Sequence, residues 1–501
     1  MKLKKCPDKT FCPCIFTKTA SFRPCIFAKT IIFCPCIFSI RKKTLPLQLK
    51  INKQNEMSAN NYFYRKIDAD LLAWSKEKEH KVLLLRGARQ VGKSSAIRHL
   101  GKRFNYFLEV NFEEDAEVRR FFEKGSLSPQ PIIEQLSIKY GVPIIPGETL
   151  LFFDEIQTCI PAISSLRFFY EKMPDLHVVA AGSLLEFALE EIPSFGVGRI
   201  TSMFMYPFSF YEFLDALGEN LLLEAICKAN PENPLHEVIH NKAVELLKRF
   251  LVVGGMPDAV VKYAETRDLL QVQTVLSSLL IALKDDFSKY KKRLSVVLLN
   301  EVFESIARQA EGKFVYERAA TQASNAQVKQ SLEMLIMAGL VFPVTHTSAN
   351  GIPLGAEINP KFQRMFLFDT GLFQRVLGLD ISQIFESDDF KTVNRGALAE
   401  IFVGLELVKN SFCYSKFPLY YWQREKSQSS AQVDFVMQKG YNIIPIEVKS
   451  GTQGAMQSLR LFMREKKIEK GIRTSLENFA KYENIEVYPM YAISNLLMGK
   501  I

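Results

Sequence analysis

No stretch of this 501-residue sequence approaches the roughly 18 uncharged apolar residues that a helix needs to cross a bilayer. The reading is therefore of a soluble chain with no membrane partner. Cysteine is thinly spread over most of the length: of nine, Cys6, Cys12, Cys14, Cys25, Cys34 and Cys36 crowd near the start, and only Cys159, Cys227 and Cys413 follow. Isolated cysteines build no disulfide framework and fit a reducing cytoplasm. An excess of one charge is missing too. The net +10 arises in residues 1–56, which hold 12 of the 64 basic and 2 of the 54 acidic side chains, leaving 52 of each for residues 57–501. A balanced chain gives no bulk electrostatic reason to expect nucleic acid.

The first 56 residues are of another kind. FCPCIFTKTAS, FRPCIFAKTII and FCPCIFSIRKK start at Phe11, Phe22 and Phe33, a period of 11 residues. Cys-x-Cys pairs with one intervening Pro and no His are poor zinc ligands. A secretory signal fits no better, because Lys18, Arg23 and Lys29 interrupt the apolar runs. The preferred expectation is a start at Met57, the repeat being translated upstream DNA with no folded role. The remainder is long enough for about three domains, and 48% hydrophobic with 24% charged residues is a globular composition.

Chemistry concentrates first between Leu83 and Leu100. Val82–Leu85 is an apolar run that reads as a buried strand; Gly87-x-x-x-x-Gly92-Lys93-Ser94 follows, and Ser95 to Leu100 has helical spacing. This is a P-loop pattern. Glycines let backbone N–H groups converge without Cβ clashes, and a helix N-terminus adds partial positive charge. Gly87, Ala88, Arg89, Gln90, Val91, Gly92, Lys93, Ser94 and Ser95 are thus the candidate ATP-binding residues, with Lys93 on the phosphates and Ser94 on Mg²⁺.

About 60 residues on, Thr149 to Gln157 is an apolar strand ending in two acids. Asp154 is expected to hold Mg²⁺ and Glu155 to activate the attacking water. His177 to Gly182 reads as another buried strand; Ser183 after it is either a γ-phosphate sensor between the acidic strand and the P-loop, or the cap of a helix starting at Leu184. Arg199 is either an arginine finger acting on a neighbouring copy in a homo-oligomer, or one end of a surface salt bridge.

Taken together, GARQVGKSS, LLFFDEIQ, AAGSLLE, GRI with MYPFSFYEFL, FLVVGGMPDAV, MFLFDTGL, RGALAEIFVGLEL, YYWQ, VDFV and PIEVK, in that order from Tyr62 to Lys449, resemble the AAA-type ATPases of bacteria and archaea that carry a further domain of unknown function. Ala88 departs from the family's usual Pro, with little expected effect, since the loop works through its backbone. The resemblance implies a parallel α/β ATPase core over 57–206, with Tyr62–Trp74 helical near the base, and a helical lid over 207–292 that turns at Gly254–Val260.

Over 293–377 the spacing suggests helix Val296–Ala310, helix Tyr316–Ala323, helix Gln327–Met337 and strand Leu340–Val344, which the family resemblance, more than the periodicity, implies is a winged-helix-like module. The helix that a winged helix would place in a DNA groove, near Ser324 to Met337, has one base, Lys329, opposed by Glu333, so packing on protein is as good a reading as DNA binding. In 378–501, Glu400 lies on a helix from Asn394 to Lys409. Asp434 and Glu447 are 13 residues apart on two strands joined at Lys439-Gly440-Tyr441, and Lys449 follows. The pattern resembles the restriction-endonuclease-like α/β superfamily. That implies Asp434 and Glu447 as Mg²⁺ ligands, Lys449 orienting water and Glu400 completing the shell. Three outcomes stay open: a nuclease acting on DNA or RNA, a nuclease-like fold that only binds nucleic acid or a protein client, or a structural pairing of charges.

Overall fold

The computed structural model describes residues 62–498 apart from 124–126, 184, 191–197, 291–293, 380–394, 425–430 and 452–455. The repeats before Met57 lie outside the described residues, as do Leu184 and Asn394, the expected first residues of two helices. Among the described residues no helix is long and apolar enough to cross a membrane.

Five strands, β1 (Val82–Arg86), β2 (Tyr106–Asn111), β3 (Thr149–Asp154), β4 (His177–Ala181) and β5 (Ile200–Phe204), form one parallel sheet in the order β2-β3-β4-β1-β5. Their apolar runs are continuous because both faces are covered. Leu83, Leu85, Leu150 and Phe152 face one side, where Ala96 and Ile97 of helix α2 (Lys93–Gly101) pack. Val82, Leu84, Leu151 and Phe153 face the other, against Leu166 and Phe169 of α3 (Ile160–Lys172). Helix α1 (Ile67–Trp74) precedes β1; the expected helical stretch from Tyr62 is shorter than its spacing suggests.

Helical spacing after Pro207 becomes α4 (Phe210–Ala216), α5 (Glu237–Val253), α6 (Pro257–Thr266) and α7 (Leu269–Asp286), with a further helix at Asn220–Lys228. Ser209 and Glu212 cap α4 reciprocally, and Asp268 caps α7. The turn at Gly254 has φ +73°, and a Cβ there would meet Asp369, so the chain needs glycine on both counts. Asp369 is fully buried; it accepts from Gly255 N at 2.6 Å and from Leu372 N at 3.0 Å. The GGMPDAV and FDTGL segments are therefore two halves of one joint.

The middle part departs from expectation at one element. Helices α8 (Val296–Arg308) and α9 (Asn325–Met337) and strand β6 (Val341–Thr347) form, whereas Tyr316–Arg318 is a single 3-10 turn rather than a helix to Ala323. Ser324 stops it by capping α9 with Gln327. Strand β7 (Ile358–Leu367) returns antiparallel to β6, and β8 (Leu419–Gln423) then adds parallel to β6, with β9 (Gln432–Val433) beyond it. One sheet thus spans the expected 377/378 boundary. Helix α10 (Thr370–Val376) and helix α11 (Arg395–Lys409) connect the two parts. A third sheet holds β10 (Phe435–Lys439) and β11 (Asn442–Val448) as the expected antiparallel pair, followed by β12 (Gly471–Ser475), β14 (Ile485–Pro489) and β13 (Ala480–Tyr482).

Candidate functional site

The loop from Gly87 to Ser94 links β1 to α2 at the carboxyl end of the parallel sheet. Gly87 has φ +149°, and a Cβ there would sit 2.2 Å from the Met205 carbonyl oxygen; Gly92 has φ +97°. Both positions require glycine for this path. Arg65 holds the loop from behind. This buried guanidinium donates to the Val91 carbonyl at 3.0 Å, to the Tyr206 carbonyl at 2.7 Å and to Glu212 Oε1 at 3.0 Å.

Lys93 is buried, and Nζ donates to its own loop's carbonyls, Ala88 at 2.8 Å and Gly87 at 3.0 Å. Burial brings its ammonium down to about 8, while Glu155 and Asp154 act in the opposite sense. An ammonium held only by loop carbonyls fits a second, anionic partner such as a phosphate chain. Ser94 Oγ donates to Asp154 Oδ2 at 2.7 Å, across the end of β4, which lies between β1 and β3. Burial raises the Asp154 carboxyl, and the Ser94 bond opposes that. A hydroxyl and a carboxylate side by side are hard oxygen donors and fit Mg²⁺.

Glu155, next in line, adopts φ +49°, an uncommon conformation for a residue with a side chain. Its carboxylate accepts from Gln157 Nε2 at 2.5 Å and from the Ser183 hydroxyl at 3.4 Å. Ser183 thus faces the expected general base from β4. A Cβ on Gly182 would lie 1.8 Å from Gln157 Oε1, so a larger residue there would turn the Gln157 side chain away from Glu155. Ser95 is exposed on the first turn of α2. Arg89 is engaged by a close contact with Asp286 at the end of α7, where Lys289 also reaches Asp286 at 3.2 Å. Arg199 forms an exposed ion pair with Glu171 of the same chain.

The outer face of the loop meets the middle part. A Cβ on Gly339, in the turn between α9 and β6, would be 3.3 Å from Ala88 N. A cavity of about 370 Å³ lies beside this contact, lined by Gly87, Ala88, Met205, Gly339, Phe342 and Tyr420. Neither Arg65, Gln157 nor Gly339 was singled out by sequence reasoning. The Ser209-x-x-Glu212 capping pattern was the one available pointer to the Arg65 partner.

In the C-terminal part, Asp434, Glu447 and Lys449 gather as expected. Lys449 Nζ contacts Glu447 Oε1 at 2.6 Å, and burial followed by Asp434 pushes the Glu447 carboxyl up to about 7. Asp434 Oδ2 accepts from Val448 N at 2.8 Å and Oδ1 from Gln432 at 3.3 Å. Glu400, instead of facing these acids as a shared ligand, makes a close ion pair with Arg364 of β7. Arg364 Nη1 also lies 3.9 Å from Asp434 Oδ1. Among the described residues no group of three or more His, Cys, Asp or Glu side chains is placed to hold a metal. On α9, Lys329 is taken up by Glu333 at 3.7 Å, so this helix presents no basic stripe to DNA.

Residues 79–214 match the family model described as an AAA domain; 244–383 and 395–493 match two domains of unknown function, DUF8612 and DUF4143. No curated protein matches the chain. Among solved structures, the Walker-type ATPase PABY2304 of Pyrococcus abyssi is similar at 17% identity and a TM-score of 0.42, covering 64% of this chain and 96% of that one. The Orc1 protein of Aeropyrum pernix in complex with DNA is similar at 16% identity and a TM-score of 0.28, with 65% and 95% covered. Drosophila ORC bound to DNA gives 13%, a TM-score of 0.24, and 72% and 97% covered. Such TM-scores carry no weight for function, and the two C-terminal matches name no activity. By loop, sheet and family match, residues 79–214 form a P-loop domain of AAA type.

Proposed function

We propose that the chain is an Mg²⁺-dependent ATPase whose nucleotide cycle moves the lid, middle and C-terminal parts against the parallel sheet. The observation that carries this is the 2.7 Å bond from Ser94 to Asp154, which aligns the loop's hydroxyl with the acidic strand beside buried Lys93. Ser94 and Asp154 would hold Mg²⁺, which would supply positive charge against the phosphate oxygens. Lys93 leaves its loop carbonyls for the phosphates. Glu155, steadied by Gln157 and Ser183, orients and deprotonates the attacking water.

Two ion pairs and one close approach tie that cycle to the rest of the chain: Arg89 with Asp286, Arg65 with Glu212 behind the Val91 carbonyl, and Gly339 set beside Ala88 with little room for a larger residue. A loop that closes on phosphate pulls on all three. For the output, the Arg364 ion pairs favour a C-terminal part that binds a protein or nucleic-acid client over one that cuts nucleic acid. The test is phosphate release by the full chain with ATP and Mg²⁺. Wild type should turn over and Lys93→Ala should not; equal rates in the two would overturn the reading.

A further inference from the structure

We propose that the Arg364 guanidinium stands where a divalent cation would stand, so that the C-terminal carboxylates are a charge latch fastening β7 to α11 and to the Asp434 turn, and take no metal. This deepens the binding reading of the C-terminal part and rests on these residues alone, independently of ATP hydrolysis.

Three observations carry it. The first is position. Arg364 sits on β7 opposite Val344 of β6, whose other neighbour is Leu419 of β8, and β8 is followed by β9, which leads directly into Asp434. An arginine from the middle part is thus built into the sheet that presents the C-terminal acid. The second is burial. The Arg364 side chain is 1% exposed, closed in by Phe366 and Tyr421, whose ring centres lie 5.5 and 6.0 Å from its central carbon. A buried guanidinium without a carboxylate would cost several kcal/mol of desolvation, on the order of what each buried ion loses on leaving water. Glu400 is the carboxylate hydrogen-bonded to it, and Asp434 Oδ1 lies 3.9 Å from Nη1, a charge pairing without a hydrogen bond.

The third is charge. Fully ionised, Asp434, Glu447 and Glu400 would carry three negative charges against one positive on Lys449, leaving two for a divalent ion. Arg364 already supplies one of these, and it does so between Glu400 and Asp434. A divalent ion added beside it would face a fixed positive charge in a medium of low dielectric constant. Asp434 accepts from Val448 N and Gln432, and Glu447 Oε1 accepts from Lys449, so protein donors already hold these carboxylates. Glu447 Oε2 is buried with no hydrogen-bond partner, and it is the atom on which the test below turns.

The experiment counts Mn²⁺ bound per nucleotide-free full chain by electron paramagnetic resonance, for wild type, Glu447→Gln, Arg364→Met and the double variant. Wild type and Glu447→Gln should bind equal numbers, and Arg364→Met should gain one Mn²⁺ that the double variant loses. Wild type binding one more ion than Glu447→Gln would overturn the proposal. So would Mn²⁺-dependent cleavage of DNA or RNA that Glu447→Gln abolishes, or a folded Arg364→Met that binds no more than wild type. Should Arg364→Met not fold, the wild type and Glu447→Gln counts decide alone. Phosphate release from ATP, read in the same preparations, reports on the ATPase separately.

Discussion

Arg65 Nε lies 3.0 Å from Glu212 Oε1 while Nη1 of the same side chain donates to the Val91 carbonyl at 3.0 Å, so one buried guanidinium joins the phosphate loop to the first lid helix. Burial alone would raise the Glu212 carboxyl; Arg65 and the backbone N–H groups of Ser209 and Lys66 hold it below the usual carboxylate range. Breaking a buried pair by removing one partner costs about 3–5 kcal/mol. Arg65→Ala should therefore lower the unfolding temperature markedly and weaken nucleotide binding. Thermal unfolding with and without ATP measures both. Unchanged nucleotide affinity in a folded Arg65→Ala protein would mean that the loop holds its shape without this arginine.

A second prediction isolates the contact between Gly339 and Ala88. Gly339 and Gly378 share nearly the same φ, +74° and +78°, but a Cβ on Gly378 meets nothing within 4 Å. Alanine at either pays the strain of that backbone region, on the order of 1–3 kcal/mol. Gly339→Ala should in addition press on the Ala88 amide and reduce ATP affinity, whereas Gly378→Ala should not. Equal affinities in the two variants would remove the loop-to-middle coupling.

The sheet's opposite end makes a prediction about pH. His80 and His177 stack at 3.8 Å between ring centres, near Trp74 and Phe104. Burial, then His80, brings His177 down to about 4, and burial lowers His80 as well; Asp175 faces both and Glu77 faces His80, each acting upward. The folded form therefore keeps these rings neutral while the unfolded chain protonates at about 6.5. Stability from them is present above about pH 6.5 and is lost as pH falls toward 4. Chemical denaturation of wild type and His177→Gln across that range should show a smaller acid loss in the variant; parallel curves would assign the loss elsewhere.

These residues also show where sequence reading reaches and where it stops. Gly87 to Ser94 and Thr149 to Glu155 were legible because each carries its chemistry in one contiguous run, and the local spacing already sets strand, turn and helix. Glu447 sits on β11 as expected, whereas Asp434 falls in the break between β9 and β10, just before the strand that the turn joins to β11. Arg65, Asp286 and Arg364 gave no such signal: each is an ordinary charged residue whose partner is 147, 197 and 36 positions away, respectively. The helix that carries Glu400 is legible in the sequence, whereas the arginine opposite it in β7 is not. The Tyr316–Ala323 helix failed for a local reason, since apolar spacing over eight residues does not distinguish a 3-10 turn stopped by a strong Ser324 cap.

The most direct measurement is a single-turnover assay in which excess full-length chain is mixed with labelled ATP and Mg²⁺, for wild type and Glu155→Gln. Loss of a general base costs about 10²–10⁴-fold in rate. The account predicts that Glu155→Gln retains one unhydrolysed ATP per site while wild type converts it to ADP and phosphate. Hydrolysis by Glu155→Gln at the wild-type rate, or no ATP retained by either protein, would contradict it.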